Sequence, residues 1–156
     1  MRGDRSSEQR HLEAGRVLGR LRREISEASL GQTLVLVEGK RDRNRLNELG
    51  FNVDAICVLN QGHSINGRLD ALLLSNPELE HLEVFMDWDR TGGRLQRRCM
   101  RYLISSDAPA SEVVRDAMVR LLTPETRMVE HIGRWDGLIE GMETVDPPPV
   151  DHLLEE

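Results

Sequence analysis

Three short apolar runs, each ending in a charged or polar residue and followed by a helical pattern, constrain the fold more than any other feature of this chain. The runs are TLVLVEGK (33–40), NVDAICVLN (52–60) and LEVFMD (82–87). They are short, rich in β-branched residues and bounded by Gly, Asn or charge, as expected of strands covered on both faces. RDRNRLNELG (41–50) predicts a short helix closed by Gly50. Residues 67–75 predict a second helix, stopped before Asn76-Pro77, and residues 91–105 a third. Strands alternating with helices at this spacing require a parallel sheet with right-handed crossovers, an α/β fold.

The flanks are read from periodicity and charge. SEQRHLEAGRVLGRLRREISEA (7–28) places Leu12, Leu18, Leu21 and Ile25, with Val17 loosely among them, on one helical face ended by Gly31. SEVVRDAMVRLL (111–122) fits either a strand entering a helix or helix throughout, and TRMVEHIGRWDGLIEGM (126–142) reads as helix around an interrupting glycine. VDPPPVDHLLEE (145–156) reads as a mobile tail. The expected division is an arginine-rich helix (1–31), a central domain (32–122) and an acidic extension (123–156). Residues 1–30 carry seven arginines against five acids, whereas residues 124–156 carry two basic and nine acidic residues. The net charge of −6 therefore resides mostly in the last segment and does not exclude a polyanionic partner. Nothing in the sequence suggests a membrane span or a signal peptide. Cys57 and Cys99 sit among apolar residues without metal-ligand spacing, which predicts reduced thiols and a cytoplasmic protein.

FMDWDRTGG (85–93) sets two aspartates around a tryptophan where the third run meets a glycine-rich turn. Carboxylates there can grip a metal, attack a phosphate or cap the next helix. Glu38 and Asp87 end the first and third runs, so both belong at the carboxyl edge of the sheet, where open α/β sheets bind ligands. In extended backbone Asp89 points the same way as Asp87, and Trp88 points oppositely. Crowded carboxylates repel unless a cation neutralises them, and hard oxygen donors favour Mg2+. Behind them Arg90, Arg94, Arg97, Arg98 and Arg101 share one helical face with no acid between, a surface suited to phosphates. Of the 21 basic residues only Lys40 is lysine, and it lies two residues from Glu38.

EGKRD (38–42) after one strand and DWDRTG (87–92) after the third together resemble the Toprim domain family. Topoisomerases, bacterial-type primases, overcoming-lysogenization-defect nucleases, recombination mediators and the ribonuclease maturing 5S ribosomal RNA share that family. The resemblance covers roughly residues 32–122. In layout the chain is most similar to the small stand-alone Toprim proteins of archaea and bacteria. It implies a compact Rossmann-like fold with a four-stranded parallel sheet, Asp87 and Asp89, with Glu38, as the Mg2+ ligands (Mn2+ as a substitute), and Glu38 also as general acid or base. It further implies nucleic acid, RNA or DNA, as partner. Lys40 and Arg90 are candidate phosphate contacts beside the arginine-faced helix, and Asp42 matches the family pattern too. The sole tyrosine, Tyr102, lies in a helix, and no zinc-binding region is present, so the expected reaction is phosphodiester hydrolysis by water.

Two alternatives stand beside this. Recombination mediators mainly bind DNA, so a nucleic-acid-binding module without turnover is the second reading. Asp87-x-Asp89-x-Thr91 also resembles the nucleophile motif of haloacid dehalogenase-like phosphatases. Their motif follows the first strand, has an aliphatic residue after the threonine and needs a downstream lysine. Here Gly92 follows Thr91, and Lys40 lies upstream. His63 falls in a loop near the same edge, and the adjacent Glu130 and His131 make a poor metal pair. The N-terminal helix is a candidate contact for nucleic acid or for a second subunit, the expected assemblies being a homodimer or a larger nucleic-acid-processing complex.

Overall fold

The computed structural model describes residues 6–60, 62 and 64–149. Helix α1 (Ser7–Glu27) begins where the Ser6 hydroxyl accepts from the Gln9 N–H and the Gln9 side chain accepts from the Ser6 N–H, a reciprocal cap. Strand β1 (Thr33–Val37) is buried at every residue. The chain continues through α2 (Lys40–Glu48), β2 (Ile56–Val58), α3 (Ile65–Ser75) and β3 (His81–Val84). It ends with α4 (Arg90–Ser105), β4 (Ala110–Ser111), α5 (Val113–Leu122) and α6 (Asp136–Val145). The four strands form one parallel sheet in the order β2-β1-β3-β4, an α/β fold. No helix among the described residues is long and apolar enough to cross a membrane.

The core explains the choice of elements. Val35, Leu36 and Val37 of β1 and Leu82 and Val84 of β3 are fully buried beneath Leu18, Leu46, Leu69, Leu103 and Met118. Each such leucine contributes about 2 kcal/mol by its burial. Cys99 is buried, Cys57 partly so, and both are free; burial holds both thiols protonated, with Cys99 pushed up to about 11.

Of three stretches, two differ from expectation and the other takes one of its two expected forms, a strand entering a helix. β2 is shorter than 52–60, because the Asn52 side chain accepts from the Asp54 N–H and turns residues 53–55 into one 3-10 turn. Residues 111–122 are the end of a strand followed by a helix. Residues 126–135 are not helical: they form a loop with a 3-10 turn, Val129–His131, anchored by the buried Val129 and Ile132. Its main chain is spent on the sheet edge, where the Val129 N–H donates to Asp87 and the Arg127 carbonyl accepts from Trp88.

The flanking helices pack backbone to backbone. A β-carbon on Gly15 would stand 2.1 Å from the Leu138 carbonyl oxygen, and one on Gly141 2.2 Å from that of Leu12, so only glycine permits α1 and α6 to meet. The charge asymmetry is partly resolved within the chain: Arg10 pairs with Glu125 at 2.8 Å and Arg22 with Asp146 at 2.5 Å. Val145 closes α6 and Asp146 is held by Arg22, so these first two residues of the expected tail are fixed in place. Residues 150–156 and His63 lie outside the described residues.

Candidate functional site

β1 has β2 on one side and β3 on the other, so the order of strands across the sheet reverses between β1 and β3. The crevice beyond the carboxyl ends of such a strand pair is where open α/β sheets bind ligands. Here it is a cleft of about 530 Å³ lined by Glu38, Lys40, Asp42, Asn60, Asp87, Asp89 and Glu130, among others.

Glu38 follows β1, half-buried, and its carbonyl accepts from the Asn60 N–H. Gly39 then caps α2, and the Asp42 carboxylate reaches back to accept from the Gly39 N–H at 3.0 Å. Asp42 thus has the capping role its first-turn position suggests, and it is also buried in the cleft wall. Lys40 and Arg41 are exposed at the cleft rim, with Arg41 4.0 Å from Glu130.

Asp87 is held through both its side chain and its main chain. Its Oδ1 accepts from the Val129 N–H at 2.7 Å, and its carbonyl accepts from Arg115 Nη2 at 3.0 Å. One step earlier, Gln96 bridges the β3 backbone, accepting from the Met86 N–H and donating to the Val84 carbonyl. The physical need is clear. β4 pairs only with Leu82 and Glu83, so past that point no strand satisfies the open flank of β3. Asp89 caps α4, its Oδ1 accepting from the Gly92 N–H at 2.7 Å, while still lining the cleft. Trp88 turns inward, buried and parallel to Phe85 with ring centroids 6.2 Å apart.

The electrostatics are those of crowded acids. Burial raises the Glu38 carboxyl above its ordinary range, and Asp87 and Asp89 raise it further. Burial is also the main reason Asp87 is pushed up to about 6; the Val129 hydrogen bond opposes it, and Asp42, Asp89 and Glu130 reinforce it. Asp42 is raised by burial first, against the hydrogen bond from Gly39, with Glu130 and Glu38 adding to the rise.

The fit to a divalent ion rests on those donors. Among the described residues no group of three His, Cys, Asp or Glu side chains is arranged to hold a metal ion. Mg2+, however, takes one or two carboxylates and completes its shell with water. Asp87 and Asp89 each spend Oδ1 on a backbone N–H, and Oδ2 of each accepts no hydrogen bond among the described residues. The donor chemistry of the pair therefore suits a largely hydrated Mg2+, which these two carboxylates would hold.

Arg90, Arg94, Arg97, Arg98 and Arg101 all lie on α4, exposed or partly so, and none forms an ion pair among the described residues. None lines the carboxylate cleft; Arg98 and Arg101 instead border a separate groove with Asn66 and Tyr102. Sequence reasoning misses Arg115, Gln96 and Met128, and it misplaces Glu130. Beside His131 on a helix, Glu130 would be a poor ligand, and only the loop at 126–135 carries it into the cleft.

No family model and no curated protein matches the chain. A solved protein structure from Aquifex aeolicus is similar at 20% identity and a TM-score of 0.59, covering 74% of this chain and 94% of the other. At that identity the likeness is one of fold.

Proposed function

We propose that this protein acts on nucleic-acid phosphodiester bonds with Mg2+, as a hydrolase of the Toprim type. One observation carries the reading: Glu38, Asp87 and Asp89, from two different strand ends, line a single cleft at the point where the strand order reverses. Asp87 and Asp89 are the residues that would hold the ion, with Mn2+ an acceptable substitute. Bound there, Mg2+ would supply positive charge against the phosphoryl oxygens.

The remaining roles belong to the chain itself. Glu38 carries a raised carboxyl, the property a group needs to hand a proton to a leaving oxygen or take one from water near neutral pH. Lys40, exposed at the rim, pairs with a backbone phosphate. Arg90, Arg94, Arg97, Arg98 and Arg101 offer the strand a run of uncompensated positive charge. RNA is the favoured substrate, on the resemblance to the 5S ribosomal RNA maturase.

A second reading, binding without turnover, is supported by the same arginines together with the lack of a three-ligand metal group among the described residues. The phosphatase reading is weaker. Asp87 follows β3, and Gly92, tight against the Asp87 backbone, stands where that motif has an aliphatic residue. Incubating end-labelled RNA and DNA with the protein and Mg2+, Mn2+ or EDTA tests the proposal. Metal-dependent cleavage supports hydrolysis; retention without cleavage supports the binding module; neither refutes both.

A further inference from the structure

Arg115 reaches the carboxyl edge of the sheet from the first turn of α5. Its Nη2 lies 3.0 Å from the Asp87 carbonyl, and its Nε lies 3.2 Å from that of Met86. Those contacts occupy one side of a group with five N–H donors. Among the described residues Nη1 has no acceptor, and no carboxylate lies within ion-pair distance of the guanidinium. Burial works against its charge and outweighs Asp116 and Glu112, which favour it without touching it, and Glu112 is already engaged by Gln96.

Arg97 approaches the same point from α4. Its Nη1 and the Arg115 Nη2 each lie 3.6 Å from where a β-carbon on Gly93 would be. Gly93 does not have a positive φ, so its backbone does not require glycine. A β-carbon there would be in ordinary van der Waals contact with both guanidinium groups, so the two converge on Gly93 and a larger side chain would displace them. Like charges so placed repel, and an oxyanion lying between them relieves the repulsion with matched hydrogen bonds. β3 lies between β1, which leads to Glu38, and β4, which leads into the helix carrying Arg115.

We propose that Arg97 and Arg115, converging on Gly93, form a second phosphate subsite that seats a backbone phosphate of the strand whose phosphodiester lies at the carboxylates. This rests on the nucleic-acid reading of that cleft. Arg115 serves doubly, fixing the Asp87 carbonyl and presenting its free donors to the phosphate.

The test measures binding of short labelled single-stranded RNA and DNA in EDTA across a salt series, for the wild type, Arg97→Gln and Gly93→Leu. Circular dichroism checks that each is folded. Removing one phosphate interaction should lower the salt slope by about 0.7 for a single strand. Both variants are expected to bind about tenfold more weakly at low salt, each with that reduced slope. The decisive variant is Gly93→Leu, which removes no charge and displaces the two guanidinium groups. Wild-type affinity and slope in Gly93→Leu overturn the subsite while leaving nucleic-acid binding intact. If Gly93→Leu does not fold, an unchanged slope in Arg97→Gln overturns it instead. Failure of the wild type to retain either oligonucleotide overturns the nucleic-acid reading and the subsite with it.

Discussion

Gly92 packs so closely on Asp87 that a β-carbon there would stand 2.2 Å from the Asp87 carbonyl oxygen and 2.6 Å from its carbon. The first turn of α4 therefore lies directly on the backbone that presents one candidate metal ligand, and its cap, Asp89, is the other candidate. Gly92→Ala must push these apart. We expect a stability loss of about 1–3 kcal/mol from overpacking. Cleavage should fall about 100-fold through misplacement of the two carboxylates. Gly93→Ala is the stability control, because its nearest neighbours are 3.6 Å away; denaturant melts should show it no less stable than wild type.

Asp87 is itself a source of instability without metal. Its folded pKa of about 6 exceeds the unfolded value of about 3.9, so the native state binds the proton more tightly. The penalty is absent below the unfolded value and complete above the folded one. Asp87→Asn keeps an oxygen for the Val129 N–H and removes the charge. Metal-free Asp87→Asn should be more stable than wild type by about 1 kcal/mol near neutral pH, after discounting for solvent screening. Unfolding midpoints should converge near about pH 4. A gain that persists at acid pH would contradict this.

His81 has the opposite sign. Its Nε2 lies 2.7 Å from the buried Glu83 carboxylate and its Nδ1 2.5 Å from Glu24. The Glu83 hydrogen bond chiefly raises its pKa to about 9, against burial, with Glu24 adding to the rise. The stabilisation is fully present below the unfolded value of about 6.5 and is lost as pH rises through about 9. Wild-type stability should fall by about 1 kcal/mol across that window after the same discount for exposure. His81→Gln should be less stable at neutral pH and show a flatter profile.

Gly141→Ala tests the α1–α6 crossing. Its β-carbon would meet the Leu12 carbonyl oxygen at 2.2 Å and the Arg16 nitrogen at 2.9 Å, both backbone atoms that cannot swing aside. A loss of about 2–3 kcal/mol is expected by chemical denaturation. Unchanged stability would show that the helices do not pack this closely.

The parallel sheet is legible in the sequence because the runs at 33–37 and 82–86 are short, mostly apolar and followed by charge at Glu38 and Asp87. The same logic places Glu38, Asp87 and Asp89 at one edge. Asn60, at the end of the second run, is open to that argument as well, although an amide carries no charge to draw the eye. Glu130 and the Val129 N–H are not legible: apolar residues at 128, 129 and 132 fit a helix, and tertiary contacts with Asp87 and Trp88 draw the segment into a loop instead. Arg115 and Gln96 are hidden for a related reason. Their task arises only because β4 is two residues long, a length no local pattern announces.

The most direct test of the central claim is Mg2+-dependent cleavage of end-labelled RNA and DNA by wild type, Glu38→Gln and Asp87→Asn, each confirmed folded. We expect cleavage by wild type, abolished by EDTA, and reduced about 100- to 10,000-fold by Glu38→Gln as for loss of a general acid or base. Asp87→Asn should be equally impaired, with partial recovery at high metal concentration. Cleavage by both variants at the wild-type rate would contradict the assignment of this cleft.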